Sequence, residues 1–467
     1  MCAIVRPFDD GKPCMPTSVR YPDGNVLLRS LSKDLPVVAR GEGVYLFDKA
    51  GKRYVDGSSG ALVVSVGHGN REVAARIAEQ ISNVGYVNGT QFTSDATESL
   101  ATKLVAIARE ELPSANLTRA AFLCSGSEAI EAAVKFVRQL WMERGEPQRT
   151  KMIARVPSYH GNTLYALSMS GRPHYKKLYG PMLSEVLTTQ SPYGYRYDGP
   201  GTYEEHGADH FARLFEEALL AADPKTVAAF IAEPVIGSSA GAALPPPGYF
   251  AKLRAVCERY GVLMIADEVL CGSGRTGDFF ASKTTDFRPD VVVLGKGIGG
   301  GLAPLSVVLV REDHVEEMRK GSGYFQHAQT YLQAPFITAA GEAVLDYFEQ
   351  HRLLDHVRRV GPMLQAKLRE RLASVSYVGN VSGTGLLAGV EFVEDRVTKA
   401  PFARSRKVIE RLTQHLFERG LIVWPNVGQA NGTDGDLLMI GPPLVITETQ
   451  IDELVDTLAR SLEEFVP

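Results

Sequence analysis

The sequence predicts an α/β fold on a largely parallel sheet. Three observations carry that expectation. Apolar runs of strand length recur near residues 120, 153, 230, 264, 292 and 307, segments of helical periodicity separate them, and several runs stop at a polar loop. Near-continuous apolar strands belong to sheets covered on both faces. With 467 residues, 45% hydrophobic and 22% charged, the chain is close to the globular average and long enough for a large core with a smaller companion.

The totals exclude several classes of function. A net charge of −4 and a pI near 6.2 leave no basic footprint for nucleic acid. The most apolar stretch, 291–310, is broken by Lys296, several glycines and Pro304, so no membrane span is expected. The start, MCAIVRPFDDGKPC, carries acids and prolines where a secretory signal needs an apolar region, and a cytoplasmic location is expected. Five cysteines without C-x-x-C spacing predict a reducing compartment and no structural metal. Cys124 and Cys271 read as small core fillers.

Taken in order, residues 1 to about 35 have few periodic signals and read as an extended arm. GVYLFDKAGKRYVDG, 43–57, reads as a hairpin, because apolar and aromatic residues flank a turn cluster. His68, between two glycines, fits a tight turn as readily as a site. A helix is predicted from Asn70 through Val73, Ile77 and Ile81.

AAFLCSGSEAIEAAVKFVRQLW then gives a strand, the small-residue loop Ser125, Gly126 and Ser127, and a helix. Such a loop can aim free N–H groups and the helix dipole at an anion, although a serine in that place also serves as an ordinary N-cap. MIARVPSYHGNT ends a second strand at Tyr159 and His160, either of which could stack on a planar ligand if one lies there. In VAAFIAEPVIG the strand is followed directly by Glu233, and an acid at that place needs a partner or solvent. A helix follows PPPG near residue 248.

The stretch 261–301 carries the chemistry. GVLMIADEV ends a strand at Asp267 and Glu268, and DVVVLGKG ends the next at Lys296, flanked by Gly295 and Gly297. A buried lysine is costly unless it is neutral, paired or covalently used, and Schiff-base formation needs a desolvated amine. A carboxylate could hold a pyridine nitrogen protonated, while a helix N-terminus holds a phosphate and an aromatic covers the ring. Those are the needs of pyridoxal phosphate. The competing match, Gly295-x-Gly297-x-x-Gly300, fits a dinucleotide fingerprint poorly, since Pro304 and a β-rich run follow where a helix should open. Glu268 reads as a structural neighbour of Asp267. Ligands of such sheets sit beyond the carboxyl ends of the strands, where all these loops lie.

After about residue 350 a long amphipathic helix, the strands YVGNV and LLAGVEFV, a helix near 404–419, the strands LIVW and DLLMI, and a last helix with a capping box at Thr447 and Gln450 predict a second, α+β unit.

These residues together resemble the class III (omega) pyridoxal-phosphate aminotransferases. DEVLCGSGRTG at 267–277 with the GK at 295–296 is similar to the family signature, and SGSEA at 125–129, YHG at 159–161, AEPV at 232–235 and HAQTY at 327–331 follow in family order. The resemblance implies a type I fold: a large domain at 71–348 on a mostly parallel, seven-stranded-type sheet, and a smaller α+β domain from the arm and hairpin at 1–70 and from 349–467. It implies pyridoxal 5'-phosphate in Schiff-base linkage to Lys296, which would also shuttle the substrate proton. Asp267 would pair with the pyridine nitrogen, and Val269 and Tyr159 would cover the ring faces. Gly126 and Ser127, beside Ser125, would bind the phosphate, with Thr330 reaching it across a homodimer. His160 and Glu233 would complete the cofactor site.

The implied reaction moves an amino group from an amine or omega-amino acid to a keto acid resembling pyruvate or 2-oxoglutarate, by a ping-pong cycle. An epimerase, an aminomutase, a decarboxylase or a non-catalytic binding protein are the alternatives on the same fold. The substrate end departs from the family. Met439 stands where many members place an arginine, the loop 425–436 holds none, and Leu62 stands where several have a pocket tryptophan. The absent arginines point to a terminal amine or omega-amino acid donor, bound by loops around Leu62, Tyr159 and 425–436.

Overall fold

The computed structural model describes residues 16–467. The start of the expected arm, 1–15, including the segment read against a secretory signal, lies outside the described residues.

Seven strands form the main sheet, in the order Leu117–Leu123, Ser306–Arg311, Val291–Leu294, Leu263–Asp267, Val227–Ala232, Lys151–Val156 and Leu187–Gln190. Leu263–Asp267 is the middle strand, and parallel neighbours pair Asp267 with Val293 and Ala266 with Ala232. Six strands run in one direction, and Ser306–Arg311 alone runs against both its neighbours. The reason lies in the connection. Only residues 295–305 separate it from the preceding strand, too short a span for the crossover that a parallel pair requires.

Both faces are buried, which explains the unbroken apolar runs. Leu263, Ile265, Val291 and Val293 face the helix Gly126–Glu143 through Ile130, Ala133 and Val137. Met264, Ala266, Val292 and Leu294 face the opposite core with Phe211 and Phe215 of the helix Tyr203–Ala221 and Leu253 of Tyr249–Tyr260. Period-2 alternation therefore divides one strand between two cores.

The predicted hairpin is present as Tyr45–Asp48 paired antiparallel with Arg53–Asp56, and Val38–Glu42 extends it. Leu421–Ile422, from the other end of the chain, adds in parallel beside Arg53–Asp56. A second antiparallel sheet runs in the order Val378–Thr384, Leu387–Phe392, Asp436–Ile440, Trp424–Val427. The final helix, Glu448–Glu464, opens with the predicted Thr447 and Gln450 capping box. The helix expected from Asn70 is present as Arg71–Val84, with Asn70 as its N-cap. His68 belongs to neither a free turn nor the central site: its backbone bridges to Gly43 and its ring bonds Asp56 at 2.8 Å.

One buried side chain joins these parts. Arg275, 2% exposed, donates to the carbonyl of Pro442 and to Ser59 Oγ, so the loop after Leu263–Asp267 is tied to segments near both chain ends. Replacing it with alanine removes two hydrogen bonds of a charged donor and leaves a void. The expected cost is about 3 to 5 kcal/mol, read as a lower denaturant midpoint. A change under about 1 kcal/mol would contradict this tie.

Candidate active site

The strand-end loops meet over the carboxyl edge of the sheet. Asp267 is the last residue of the middle strand and is 3% exposed. Its Oδ2 lies 2.7 Å from His160 Nδ1, and its Oδ1 accepts the Val269 N–H at 3.1 Å. His160 is buried, with Nε2 unpartnered. Its ring is therefore engaged in plane with a carboxylate, which leaves stacking to Tyr159 of the two candidates.

Lys296 follows the neighbouring strand with φ at +48°, a left-handed conformation that a side chain adopts at some cost and that clusters at functional sites. Nζ makes no hydrogen bond among the described residues. Burial lowers its pKa, and the charges of Asp267 and Glu233 offset part of that. A desolvated amine beside carboxylates is available as a nucleophile.

Glu233 is buried on the next strand's end. Its Oε1 accepts the Gly237 N–H at 3.4 Å, and Oε2 stands 3.8 Å from the fully buried Arg155. Burial raises its carboxyl group, with His160 and Arg155 opposing.

Glu268 turns away from this group. It is fully buried and accepts the N–H groups of Ala281 and Ser282 at 2.6 and 2.9 Å, a structural role as the sequence predicts. Burial pushes its carboxyl to about 7. The folded protein therefore holds this proton more tightly than the unfolded chain, so the stabilisation is full below pH ~4.5 and is lost as pH rises through ~7. Between those limits stability should fall by at most ~3 kcal/mol on this account. Glu268→Gln should flatten that part of a stability-against-pH curve; an unchanged slope would contradict it.

The helix Gly126–Glu143 supplies an anion seat. Ser125 caps it in a capping box with Glu128, whose carboxylate accepts the Cys124 and Ser125 N–H groups. The Gly126 and Ser127 N–H groups keep no acceptor among the described residues. Both readings of the loop thus hold at once: the serine oxygen is the cap, and two free donors remain beyond it. Close approach explains the glycines. A Cβ on Gly126 would lie 2.8 Å from Val269 Cγ1, and one on Gly161 would lie 2.6 Å from Ser127 Oγ.

Every site residue predicted from sequence except Thr330 lines one cavity of about 210 Å³. Thr330 is exposed in a turn outside that cavity. A second cavity of about 580 Å³ shares Tyr159, Asn162, Ser238, Leu270 and Lys296 with the first. Its remaining wall is mostly apolar, with Leu62, Leu164, Leu167 and Trp424, together with the charged Arg29 and Arg172. Met439 is fully buried in an apolar cluster with Leu62 and Val235 and lines neither cavity. Of the expected loops, Leu62 and Tyr159 do line the larger space; 425–436 does not, and the adjoining Trp424 takes its place. Sequence reasoning missed Arg172, Tyr175, Ser238 and Trp424. No local signal marks them, since each depends on a distant segment for its position.

Comparison with known proteins gives the class. The family model for aminotransferase class-III matches residues 30–462, nearly the whole chain, and the protein belongs to that family. It is therefore an aminotransferase. It is 36% identical to the uncharacterized aminotransferase YodT of Bacillus subtilis, over 92% of this chain and 96% of that one. It is 33% identical to the diaminobutyrate-2-oxoglutarate transaminase of Halomonas elongata, over 92% and 90%. Among solved structures, an (S)-enantioselective omega-transaminase from Thermomicrobium roseum superposes with a TM-score of 0.85 at 35% identity, covering 92% of each chain.

Proposed function

We propose that this chain transfers an amino group from an amine or omega-amino acid to a keto acid, with pyridoxal 5'-phosphate in the smaller cavity. The observation that carries this is the meeting of Lys296, Asp267 and two free N–H groups in a single space. The residues fit the cofactor: an amine for its aldehyde, a buried carboxylate for its ring nitrogen, and donors at a helix N-terminus for its phosphate. When bound, the cofactor supplies an aldehyde for the donor nitrogen and a protonated ring that draws electrons from the adjoining carbon.

The chain's own residues do the rest. Lys296 would hold the cofactor covalently, give way to the donor amine, and then use Nζ to take a proton from one carbon and return it at another. Burial favours the neutral amine this needs. Asp267 would keep the ring nitrogen protonated, and the His160 ring fixes that carboxylate. Val269 and Tyr159, which line the same cavity, would cover the two ring faces, Gly126 and Ser127 would hold the phosphate beside Ser125, and Glu233 would complete the wall.

Further parts of this reading have indirect support. Thr330 is exposed and outside its own chain's cavity, as a residue serving a partner's site in a homodimer would be. A cytoplasmic location accords with the free thiols of Cys124, Cys257 and Cys271. No helix among the described residues is long and apolar enough to cross a membrane. We place the division of the chain at residues 70 and 348, which accords with the pairing of Arg53–Asp56 with Leu421–Ile422. The donor class accords with relatives named diaminobutyrate and gamma-aminobutyrate transaminases.

A panel of nitrogen-15-labelled donors (4-aminobutyrate, 2,4-diaminobutyrate, 1-phenylethylamine), each with pyruvate or 2-oxoglutarate, tests the reaction. Labelled alanine or glutamate is expected. Changed stereochemistry or released carbon dioxide without labelled product would replace transamination with another reaction of the same cofactor.

A further inference from the structure

A buried guanidinium lines the larger cavity. Arg172 is 6% exposed, lines the cavity that also holds Lys296, and makes no ion pair among the described residues. One terminal nitrogen donates to Ser238 Oγ at 2.6 Å, while Nε is buried without a partner. The guanidinium lies 4.8 Å from the centre of the Tyr159 ring and 5.5 Å from that of Tyr175. These contacts fix its plane and leave part of its hydrogen-bonding edge unused.

An unpaired buried charge is costly, and removing its partner costs more than forming the pair returns. Burial lowers the pKa of Arg172, and Tyr175 and Glu233 offset this only in part. Glu233 has its own cation in Arg155. The bland alternative is a guanidinium kept for its two tyrosines. Arg155 shows what a purely internal role looks like: it too has unpartnered nitrogens, yet it pairs with an acid and lines neither cavity. Arg172 differs in facing the space beside the reactive amine.

We propose that Arg172 is the carboxylate receptor of this active site, selecting substrates that join a carboxylate to an apolar remainder. This rests on the transaminase reading above and names the substrate class of that same site. The planar fork of a guanidinium matches a carboxylate in a bidentate pair. Leu62, Leu270 and Trp424 provide the apolar surface for the remainder. The receptor stands in a different segment from Met439 and from the arginine-free loop 425–436. A carboxylate clamp is therefore present without an arginine at either position. Among the described residues, the other arginine on this wall, Arg29, is exposed.

The test uses the full chain loaded with pyridoxal 5'-phosphate. Butyrate, a carboxylate with no transferable group, is titrated while the fluorescence of Trp424, one of two tryptophans, is followed. Arg172→Gln is expected to weaken butyrate binding at least about tenfold, and to lower the preference for 4-aminobutyrate over the carboxylate-free 1-phenylethylamine by a similar factor. Arg172→Lys, which keeps the charge without the fork, should fall between. Butyrate binding within twofold of the native protein in Arg172→Gln overturns the proposal. So does equal loss toward both amines in the donor half-reaction, measured with no keto acid present, which marks a structural role, and so does a loss produced by Arg29→Gln instead. Arg172-dependent butyrate binding in a protein that transfers no nitrogen would uphold the receptor while removing the transaminase reading.

Discussion

Replacing Lys296 with alanine is expected to abolish nitrogen transfer, with kcat lowered by about 10⁴-fold or more. Two losses combine. On the proposed reading, the amine that would hold the cofactor disappears, and so does the group that would move the substrate proton, in a cavity where no other described lysine lines the wall. Fold should be little affected, because Nζ makes no hydrogen bond among the described residues and its burial is unfavourable to the charged form. A cofactor retained by the phosphate seat alone should give a changed spectrum and a weaker complex. Single-turnover kinetics with a good donor, alongside a denaturant midpoint, separate the two effects. Activity within about tenfold of the native protein would mean that another group does the proton transfer.

Asp267→Asn carries the second largest effect. The substitution keeps the shape and removes the charge, and asparagine can still accept from the Val269 N–H or meet the His160 ring. The loss should therefore be electrostatic. A ring nitrogen without an anionic partner loses its proton, and the expected drop in kcat is about 10²- to 10⁴-fold. Cofactor content measured by absorbance should fall much less than kcat. An equal fall in both would make Asp267 a binding residue alone.

The sheet and the site were legible for one physical reason. A strand buried on both faces is an unbroken apolar run, so the polar residue that ends it stands out, as Asp267 after LMIA and Lys296 after VVVLG do. The edge strand Leu187–Gln190 carries polar residues and escaped that criterion. The reversed direction of Ser306–Arg311 was readable in principle from its short connection, though the apolar run alone does not encode direction. Arg172 was not legible. It follows a small-residue segment and precedes Pro173, which reads as an exposed turn, and only the approach of Ser238 and Tyr175 buries it. The absent arginines at 439 and 425–436 were correctly seen, but the lack of a clamp does not follow from them, because a cavity wall is assembled from segments that sequence distance does not relate.

On the proposed reading, Lys296 is the covalent anchor of a cofactor bound at the end of the middle strands. The most direct measurement reduces the pyridoxal 5'-phosphate-loaded protein with borohydride, digests it and maps the modified lysine by mass spectrometry. A phosphopyridoxyl adduct on Lys296, formed with loss of the visible absorption band, is the predicted result. A colourless protein that takes up no cofactor, or an adduct placed on a lysine outside the cavity, would contradict it.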